Sequence, residues 1–411
     1  MSTPAAPEPE PTFLRLRAFR AVRYDEGVVG DLSRLVAPPQ DDHGLAQARS
    51  QSCDPHHVTR LLYTQDPPAT ARQLRGWLHR GVLRRDDRPA VYVYQQQRGA
   101  RILQRGLIGE LAVPRHNSAG EDRLLLPHED VSPQVVQQRA AHMSGLRAQL
   151  EPLLLTCSAT EPTAGQVMGH VVRRPPAAVA CVAGITHTLW ACDDDQEIDL
   201  LTSGVSRGQA LIADGHHRRA ACLHLGRRPG SPWKKSLALL VDADAHPLRL
   251  SAIHRVLPGL DAEKAASLAA DVARVLPLPD GPRNPGPNEL VLVGAGQAWS
   301  VTDPEPRALH EALASCPREW AALPAAVSDH LLLDTVWAVP DLPGAVRYVH
   351  DDRQAVADVA TPGRGTALLL PAMTEAGVRQ LAGAGVLMHR KSTLFGPKPV
   401  VGLAFRVLGS P

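Results

Sequence analysis

The segment richest in chemical groups spans residues 209–226, where cationic side chains follow a glycine. Residues 210–213 form a short apolar run that is typical of a strand, and Asp214-Gly215 is a tight break. The apolar positions that follow, up to Gly226, predict a helix of about three turns that ends at this glycine. The segment therefore predicts a strand that passes through a glycine into a helix.

The first turn of that helix carries His216, His217 and Arg218. Backbone N–H groups and the positive end of the helix dipole are concentrated at such a turn. A helix start with these donors holds anions, and phosphate is the simplest of them. The sequence thus predicts a phosphate site at Gly215, His216, His217 and Arg218. The alternative is a solvated helix start that Asp214 caps.

A second cationic stretch lies near the end of the sequence and combines lysines with hydroxyl groups: Lys391, Ser392, Thr393 and Lys398. Paired lysines beside hydroxyls suit phosphate contacts. We therefore consider the hypothesis that this stretch folds back over the phosphate site and closes it as a lid. The alternative is a solvated strand edge whose lysines prevent aggregation.

Two aspartates are further candidates for polar contacts. Asp41 lies in a Pro-Pro-x-Asp turn, where a carboxylate beside rigid prolines is placed to bind a polar substrate. A plain Asx-turn is the alternative for this residue. Asp214 either caps the helix, or orients His216 or a magnesium ion, and these roles are compatible.

Composition limits the classes of function. The net charge is +2, with 44 basic against 42 acidic residues, so no specific DNA binding is expected. The six cysteines show no CxxC pair or framework spacing, which is typical of a reduced cytoplasmic protein. No stretch reaches the length of a membrane span.

The organisation predicted along the chain has four parts. Residues 1–12 form an acidic, proline-rich tail without the apolar region of a signal peptide. Residues 13–277 form an N-terminal region, and 288–411 form a C-terminal α/β region. Between them, six of the ten residues 278–287 are Pro or Gly, which predicts a linker or a long loop.

Local patterns predict helices near 68–80 and 133–150. They predict strands at the following ranges: 91–94, 108–113, 179–183, 186–191, 237–241, 253–257, 289–293 and 298–301.

The strand–DGHHR–helix unit resembles the ParB/sulfiredoxin-like fold. Free serine kinases of that superfamily carry a form of Asp-Gly-His-x-Arg, which here is Asp214, Gly215, His216 and Arg218. Over nearly its whole length the chain is similar to the bacterial family of the domain of unknown function 1015. The segments that carry this likeness are 19–24, 37–41, 89–94, 126–129, 188–190, 214–218, 254–256 and 391–398.

This resemblance implies an α/β fold with mixed sheets and a ParB/sulfiredoxin-like nucleotide-binding core at about 106–257. It also implies that Glu129 acts as the base, since an acidic residue holds that place in the serine kinases. Glu129 and Asp214 are alternatively ligands of a magnesium ion. Another interpretation is that Glu129 and Asp130 are first-turn acids that stabilise a helix N-terminus.

The chain departs from the family in places. Gln40 stands where the family usually has Tyr, and His389-Arg390 stands where it has Pro-Pro. Only Phe395 remains of the aromatic residues that follow, which weakens any base-stacking shelf. Sulfiredoxin chemistry is excluded, because the position of its reactive thiol is His216 here.

The resulting hypothesis is a kinase that transfers a phosphoryl group from a nucleotide to a small hydroxylated metabolite such as free serine. The expected cofactors are ATP or ADP, or CTP, with magnesium. The alternative is a non-catalytic or CTPase-like nucleotide-sensing module that switches partner binding, with little or no turnover. The expected partner is a small-molecule substrate, and a homodimer is left open.

Overall fold

A computed structural model of the chain describes residues 14, 16–38, 54–62, 66–113, 124–158, 162–203, 208–389 and 391–409. The chain divides into two compact units. Unit 1 comprises Met1–Pro127, Val131–Leu248 and Pro397–Pro411, and unit 2 comprises His128–Asp130 and Arg249–Gly396. Asp41 and the predicted tail at 1–12 lie outside the described residues.

The strands of the described residues are numbered in chain order. They are β1 Leu16–Arg17, β2 Val22–Tyr24, β3 Leu83–Arg85, β4 Val91–Arg98, β5 Arg101–Ala112, β6 Leu125–Leu126, β7 Ala148–Gln149, β8 Leu153–Cys157, β9 Ala178–Val182, β10 Ile185–Cys192, β11 Ala210–Asp214, β12 Lys235–Asp242, β13 Arg249–Ser251, β14 His254–Leu257, β15 Arg274–Pro277, β16 Leu290–Gly294, β17 Gln297–Thr302, β18 Arg347–Val349, β19 Thr366–Leu369, β20 Leu394–Gly396 and β21 Arg406–Val407.

The α-helices are numbered in the same way. They are α1 Glu26–Val29, α2 Pro67–His79, α3 Pro133–Leu146, α4 Pro162–Val171, α5 Asp195–Ser203, α6 His216–Leu225, α7 Ala262–Ala269, α8 Pro306–Ala312, α9 Pro324–Ala326, α10 Asp352–Asp358 and α11 Glu375–Gly383. Short 3₁₀ helices cover Leu32–Arg34, Val58–Arg60, Pro232–Lys234 and Arg318–Ala322, and a π-helix covers Val327–Val336. No helix of the described residues is long and apolar enough to cross a membrane.

Unit 1 is built on a nine-stranded mixed sheet. Its order is β6-β11-β8-β12-β5-β4-β10-β9, and β1 also pairs with β5. β11 runs parallel to β6, β12 runs parallel to β8, and the other pairs are antiparallel. β8 is buried at every position, which explains the run of three leucines with which it begins. The prediction of an α/β fold with a mixed sheet is confirmed.

Unit 2 is built on a six-stranded antiparallel sheet with the order β15-β17-β16-β19-β14-β18. Strand β16 shows how its two faces are filled. Leu290 and Leu292 belong to one buried cluster, and Val291 and Val293 belong to another. Because successive side chains of a strand point to opposite faces, both faces of this sheet are covered.

The unit boundaries differ from the predicted organisation. The Pro/Gly-rich residues 278–287 form a loop between β15 and β16 inside unit 2, whereas the chain passes between units at 248–249. Residues 397–411 return to unit 1, where β21 pairs with β7. A composition rich in Pro and Gly predicts a loop, but it does not tell whether the segments on either side of that loop share one core. For this reason the sequence did not distinguish a long internal loop from a linker.

Candidate phosphate-binding site

The predicted strand–glycine–helix unit is present in unit 1. β11 is buried in the sheet, Gly215 follows it at φ +101°, and α6 begins at the next residue. A Cβ at Gly215 would come within 2.9 Å of Leu153 Cδ2 and 3.0 Å of Arg218 Nη2. Both the positive φ and this close approach require glycine. Gly215 itself is the N-cap residue, and α6 has no side-chain cap, so the structure does not support Asp214 as the cap.

Asp214 instead joins two cations. Lys398 Nζ donates to Asp214 Oδ1 at 2.5 Å, and Arg218 Nη2 donates to Asp214 Oδ2 at 2.5 Å. Burial by itself would raise the pKa of Asp214, but the charges of Lys398 and Arg218 outweigh it and lower this pKa to about 2. Asp214 is therefore a carboxylate at neutral pH and fixes both cations at the start of α6.

Glu151, which the sequence did not single out, completes this cluster. Its Oε1 lies 3.7 Å from Arg218 Nη1, and its side chain is only 9% exposed. The four groups carry two positive and two negative charges, so the cluster is balanced. No local pattern distinguishes this glutamate, because its relation to Arg218 arises only when β8 and α6 come together.

Lys398 is held by buried amides of the central sheet. Gln104 Nε2 donates to the carbonyl of Pro397 at 2.9 Å, and Gln96 Nε2 donates to the carbonyl of Lys398 at 3.2 Å. The amides also bond to each other at 2.9 Å, and neither side chain is exposed. Because these hydrogen bonds fix the backbone at Pro397 and Lys398, they limit the positions that the Lys398 ammonium can reach. Three successive glutamines after an apolar strand run are the signal that could have identified this contact.

A tyrosine and a histidine extend the support for this segment. The N–H of Val400 donates to Tyr94 Oη at 3.0 Å, and Tyr94 Oη lies 2.8 Å from His187 Nδ1. Burial lowers the pKa of His187 to about 4, so this ring is neutral at physiological pH. The segment after Lys398 is thus tied to β4 without a further charge.

The two histidines in the first turn of α6 are at least partly buried. His216 is buried at 7% exposure. His217 Nε2 accepts the backbone N–H of Ser132, the N-cap residue of α3, at 3.1 Å. With Nε2 acting as an acceptor, the proton of the neutral His217 ring lies on Nδ1. Arg219, two residues after His217, is also buried, and burial lowers its pKa to about 10.

Glu129 belongs to unit 2 and lies outside any helix. It forms an isolated parallel bridge with Met388, whose N–H donates to the carbonyl of His128 at 2.8 Å. Since α3 begins only at Pro133, Glu129 and Asp130 are not first-turn acids of that helix. The interpretation as helix-stabilising acids is therefore wrong.

The hydroxyl-rich stretch before Lys398 also belongs to unit 2. Thr393 Oγ1 lies 3.0 Å from Nε2 of the buried His128, and Ser392 Oγ donates to the carbonyl of His389 at 2.6 Å. Lys391 has a left-handed backbone with φ +63°. The structure therefore brings Thr393 next to the segment of Glu129, and separately brings Lys398 to Asp214.

A magnesium ion in a protein is bound by oxygen atoms, usually those of one or two carboxylates and of phosphates. In the part of the chain that the structure describes, no three His, Cys, Asp or Glu side chains form a group that could hold a metal. Both oxygens of Asp214 already accept from cationic side chains. Asp214 therefore does not fit the predicted role of a magnesium ligand.

Comparison with known proteins identifies the family. The profile described as "Protein of unknown function (DUF1015)" matches residues 16–338, and the chain belongs to this family. No curated protein matches the chain.

Several solved structures are similar at low identity. A free serine kinase in complex with AMP has a TM-score of 0.38 and 17% identity, covering 68% of this chain and 88% of the kinase. A variant of a free serine kinase in complex with ADP has a TM-score of 0.38 at 16% identity and the same coverage. A conserved hypothetical protein from Pyrococcus furiosus has a TM-score of 0.36 and 16% identity, covering 68% and 90% of the two chains.

Proposed function

We propose that this member of the DUF1015 family binds a nucleotide through the start of α6 and transfers its terminal phosphoryl group to a small hydroxylated metabolite. Free serine is the first candidate acceptor, because the residues Asp214, Gly215, His216 and Arg218 resemble a motif of the free serine kinases. The proposed core is ParB/sulfiredoxin-like and spans about residues 106–257. ATP or ADP is the expected nucleotide, and CTP is a further candidate.

The observation that carries the proposal is the pairing of Asp214 with Lys398 and Arg218. The two cations lie 184 and 4 residues from Asp214 in the chain, yet both reach one carboxylate. They do so at a helix start whose N-cap is a glycine without a side chain. Helix N–H groups together with Arg and Lys are the donors that phosphate prefers. A solvated helix start would require none of this arrangement.

Within this proposal, Asp214 positions the cations. An ammonium has three N–H donors, and the structure shows one of those of Lys398 on Asp214. The remaining donors suit phosphate oxygens. Because the charges of the cluster are already balanced, a bound phosphate relies on the helix dipole and first-turn N–H groups for additional attraction.

The base is proposed from the sequence motif. Glu129 stands three residues before Ser132, whose N–H donates to His217. In the proposed step the substrate hydroxyl gives its proton to the Glu129 carboxylate as its oxygen attacks the terminal phosphorus. The bond from that phosphorus to the bridging oxygen breaks, and the shortened nucleotide leaves. Magnesium, if it enters with the nucleotide, is held largely by phosphate oxygens.

Calorimetry on the wild type and Arg218→Ala tests nucleotide binding. We expect the substitution to weaken ADP, ATP or CTP binding by about 1.5–3 kcal/mol, the scale of a charge-assisted contact. Arg174→Ala is the matched control, since Arg174 is a half-exposed arginine of unit 1 that pairs with Glu197. Equal affinity in the wild type and Arg218→Ala would remove the start of α6 from the proposal.

An acceptor screen with mass detection tests the transfer step. Glu129→Gln should retain nucleotide affinity and lose turnover, because an amide accepts no proton at neutral pH. Asp130→Asn, a change of the adjacent acid, should keep turnover. Full activity in Glu129→Gln would exclude Glu129 as the base. Nucleotide binding by the wild type without any phosphorylated product would instead support the sensing module.

The lid hypothesis also predicts a specific effect of replacing Lys391. If the stretch 391–398 closes over bound phosphate, Lys391→Ala should slow turnover more than it weakens nucleotide binding, since a lid contact forms fully only in the closed state. Lys398→Ala should reduce both, because Lys398 already contacts Asp214. Unchanged turnover in Lys391→Ala would limit the functional contact to Lys398.

A further inference from the structure

A thiol, an imidazole and a carboxylate lie in a row in unit 2. Cys316 Sγ is 4.0 Å from His330 Nε2, and His330 Nδ1 is 3.3 Å from Asp334 Oδ2. The thiol and the carboxylate therefore face opposite nitrogens of one ring. This is the order in which a thiol nucleophile, its base and an orienting acid are arranged in thiol enzymes, where the contacts are often loose before a substrate binds.

The π-helix Val327–Val336 places the last two groups. His330 and Asp334 are four residues apart on it and form an ion pair along its surface. Trp320 packs against the imidazole with a ring distance of 5.6 Å, and its Nε1 donates to the carbonyl of Leu387 at 3.0 Å. The ring of His330 is thus held by a fixed aromatic neighbour. π-Helical turns are rare and occur frequently at functional sites.

Cys316 is more accessible to solvent than three of the other four cysteines that the structure describes. Cys157, Cys192 and Cys222 are buried, whereas Cys316 is partly exposed. The side chain of His330 is 23% exposed and that of Asp334 is 63% exposed, so small solutes can reach the row. Cys181 is exposed as well, but among the described residues it has no imidazole contact. It is therefore a natural internal control.

Other charged groups near His330 have partners of their own. The His389 ring lies 5.8 Å from the His330 ring, and His389 Nδ1 is 3.6 Å from Asp329 Oδ2. Asp329 is in turn paired with Arg255.

Two neighbouring helical segments contribute further charges. On α8, which packs against the π-helix, Arg307 Nε donates to Glu311 Oε1 at 2.9 Å. Arg318 and Glu319 of the 3₁₀ helix that carries Trp320 are exposed. Among the described residues, Asp334 is the carboxylate in contact with the His330 ring.

We propose that Cys316 is a reactive thiol that exchanges with low-molecular-weight disulfides, with His330 as its base and Asp334 as a positioning residue. His330 Nε2 accepts the proton of the thiol, and the Cys316 sulfur attacks one sulfur of the disulfide. The S–S bond of the disulfide breaks as the new S–S bond forms. The other half leaves as a thiolate and takes the proton from His330. The product is a mixed disulfide on Cys316, which a small thiol reverses.

The test compares thiols within one protein. The folded full chain is treated with 2-hydroxyethyl disulfide, a neutral probe, and in parallel with iodoacetamide, and peptide mass spectrometry follows Cys316 and Cys181 separately. We expect Cys316 to react about tenfold faster than Cys181 at pH 7, the gain that proton removal by a neighbouring base provides. Between pH 8.5 and 7 its rate should also fall less than that of Cys181.

Two variants test whether His330 and Asp334 cause the faster reaction of Cys316. His330→Gln should bring the Cys316 rate to within about twofold of Cys181 and give both thiols the same pH profile, and Asp334→Asn should produce a smaller loss. Thermal unfolding of each variant confirms that the fold is kept. Equal rates for Cys316 and Cys181 in the wild type would overturn the proposal without any variant. So would an unchanged Cys316 rate in folded His330→Gln.

Discussion

Two aspartates, one in each unit, bind their cations in different ways. In unit 2, Arg255 Nε and Nη2 donate to the two oxygens of Asp329 at 2.8 and 2.7 Å, and the Arg255 side chain has no exposed surface. In unit 1, Asp214 divides its oxygens between Lys398 and Arg218, and a quarter of its side chain remains exposed. The first pair is closed, and the second is open to solvent.

The difference shows how to separate a structural ion pair from a functional one. A bidentate pair uses matched geometry on both partners, and its main effect is on the order of the core around it. A carboxylate shared between two cations orients both of them, and it does not accept from all of their N–H donors.

Asp329→Ala should lower the free energy of unfolding of unit 2 by about 3–5 kcal/mol, because it leaves the Arg255 guanidinium buried without its carboxylate. Hydrogen exchange in β14 peptides, followed with urea denaturation, measures this loss. The control is Asp358→Ala, which removes a pair with the half-exposed Arg347 and should cost at most about 1 kcal/mol. Similar losses in the two variants would mean that the Asp329 pair is not the closed structural contact described above.

Asp214→Asn should remove a pH-dependent part of the stability of unit 1. Burial raises the pKa of Asp214, but Lys398 and Arg218 lower it to about 2 from the ordinary 3.8. A lowered folded-state pKa stabilises the fold above the ordinary value, and this contribution is lost as the pH falls towards 2. At about 1.4 kcal/mol per pH unit, it amounts to about 2 kcal/mol at neutral pH.

Urea denaturation of the wild type and Asp214→Asn at two pH values checks this. The difference in stability should be about 2 kcal/mol at pH 6 and below about 1 kcal/mol near pH 2.5. Glu289 of unit 2, with a pKa lowered to about 2 by its hydrogen bonds to Arg283, provides a second acid-sensitive group that remains in the variant. A difference that does not change with pH would show that the cations do not act on Asp214 as described.

Gly215→Ala should destabilise unit 1 by about 1–2 kcal/mol, because alanine is strained at φ +101° and its Cβ meets Leu153 and Arg218. Gly169→Ala is the control, since a Cβ at this helical position of α4 meets no atom within 4 Å. It should stabilise by about 0.5–1 kcal/mol. Thermal unfolding distinguishes the two signs, and a neutral Gly215→Ala would mean that the turn tolerates a side chain.

Local patterns predicted the elements around Asp214 well. The apolar run 210–213 became β11, which extends one residue further, and α6 ends before Gly226 as its capping signal indicated. The prediction of a helix at 133–150 was four residues too long, because Arg147 adopts a left-handed conformation after α3. These features depend on neighbours in the chain, which is why periodicity and glycine placement could reveal them.

Contacts between distant residues were harder to predict. The pairing of lysines with hydroxyls drew attention to Lys398, but Glu151 and Gln104 have no pattern that marks them. The order of the nine strands also has no local signal, since β12 lies between β8 and β5. The π-helix was missed for a related reason, because its hydrogen bonds to the fifth residue produce no recognised apolar period.

The return of residues 397–411 to unit 1 has a consequence for the order of events during protein synthesis. Asp214 leaves the ribosome 184 residues before Lys398. At about 5–20 residues per second, this interval lasts on the order of 10–40 seconds. Throughout it Asp214 has Arg218 but not Lys398, and residues 249–396 of unit 2 are synthesised in the meantime. The four-charge cluster is thus completed only after Lys398 has left the ribosome, so a nascent chain that stalls before residue 398 lacks the lysine of its proposed phosphate site.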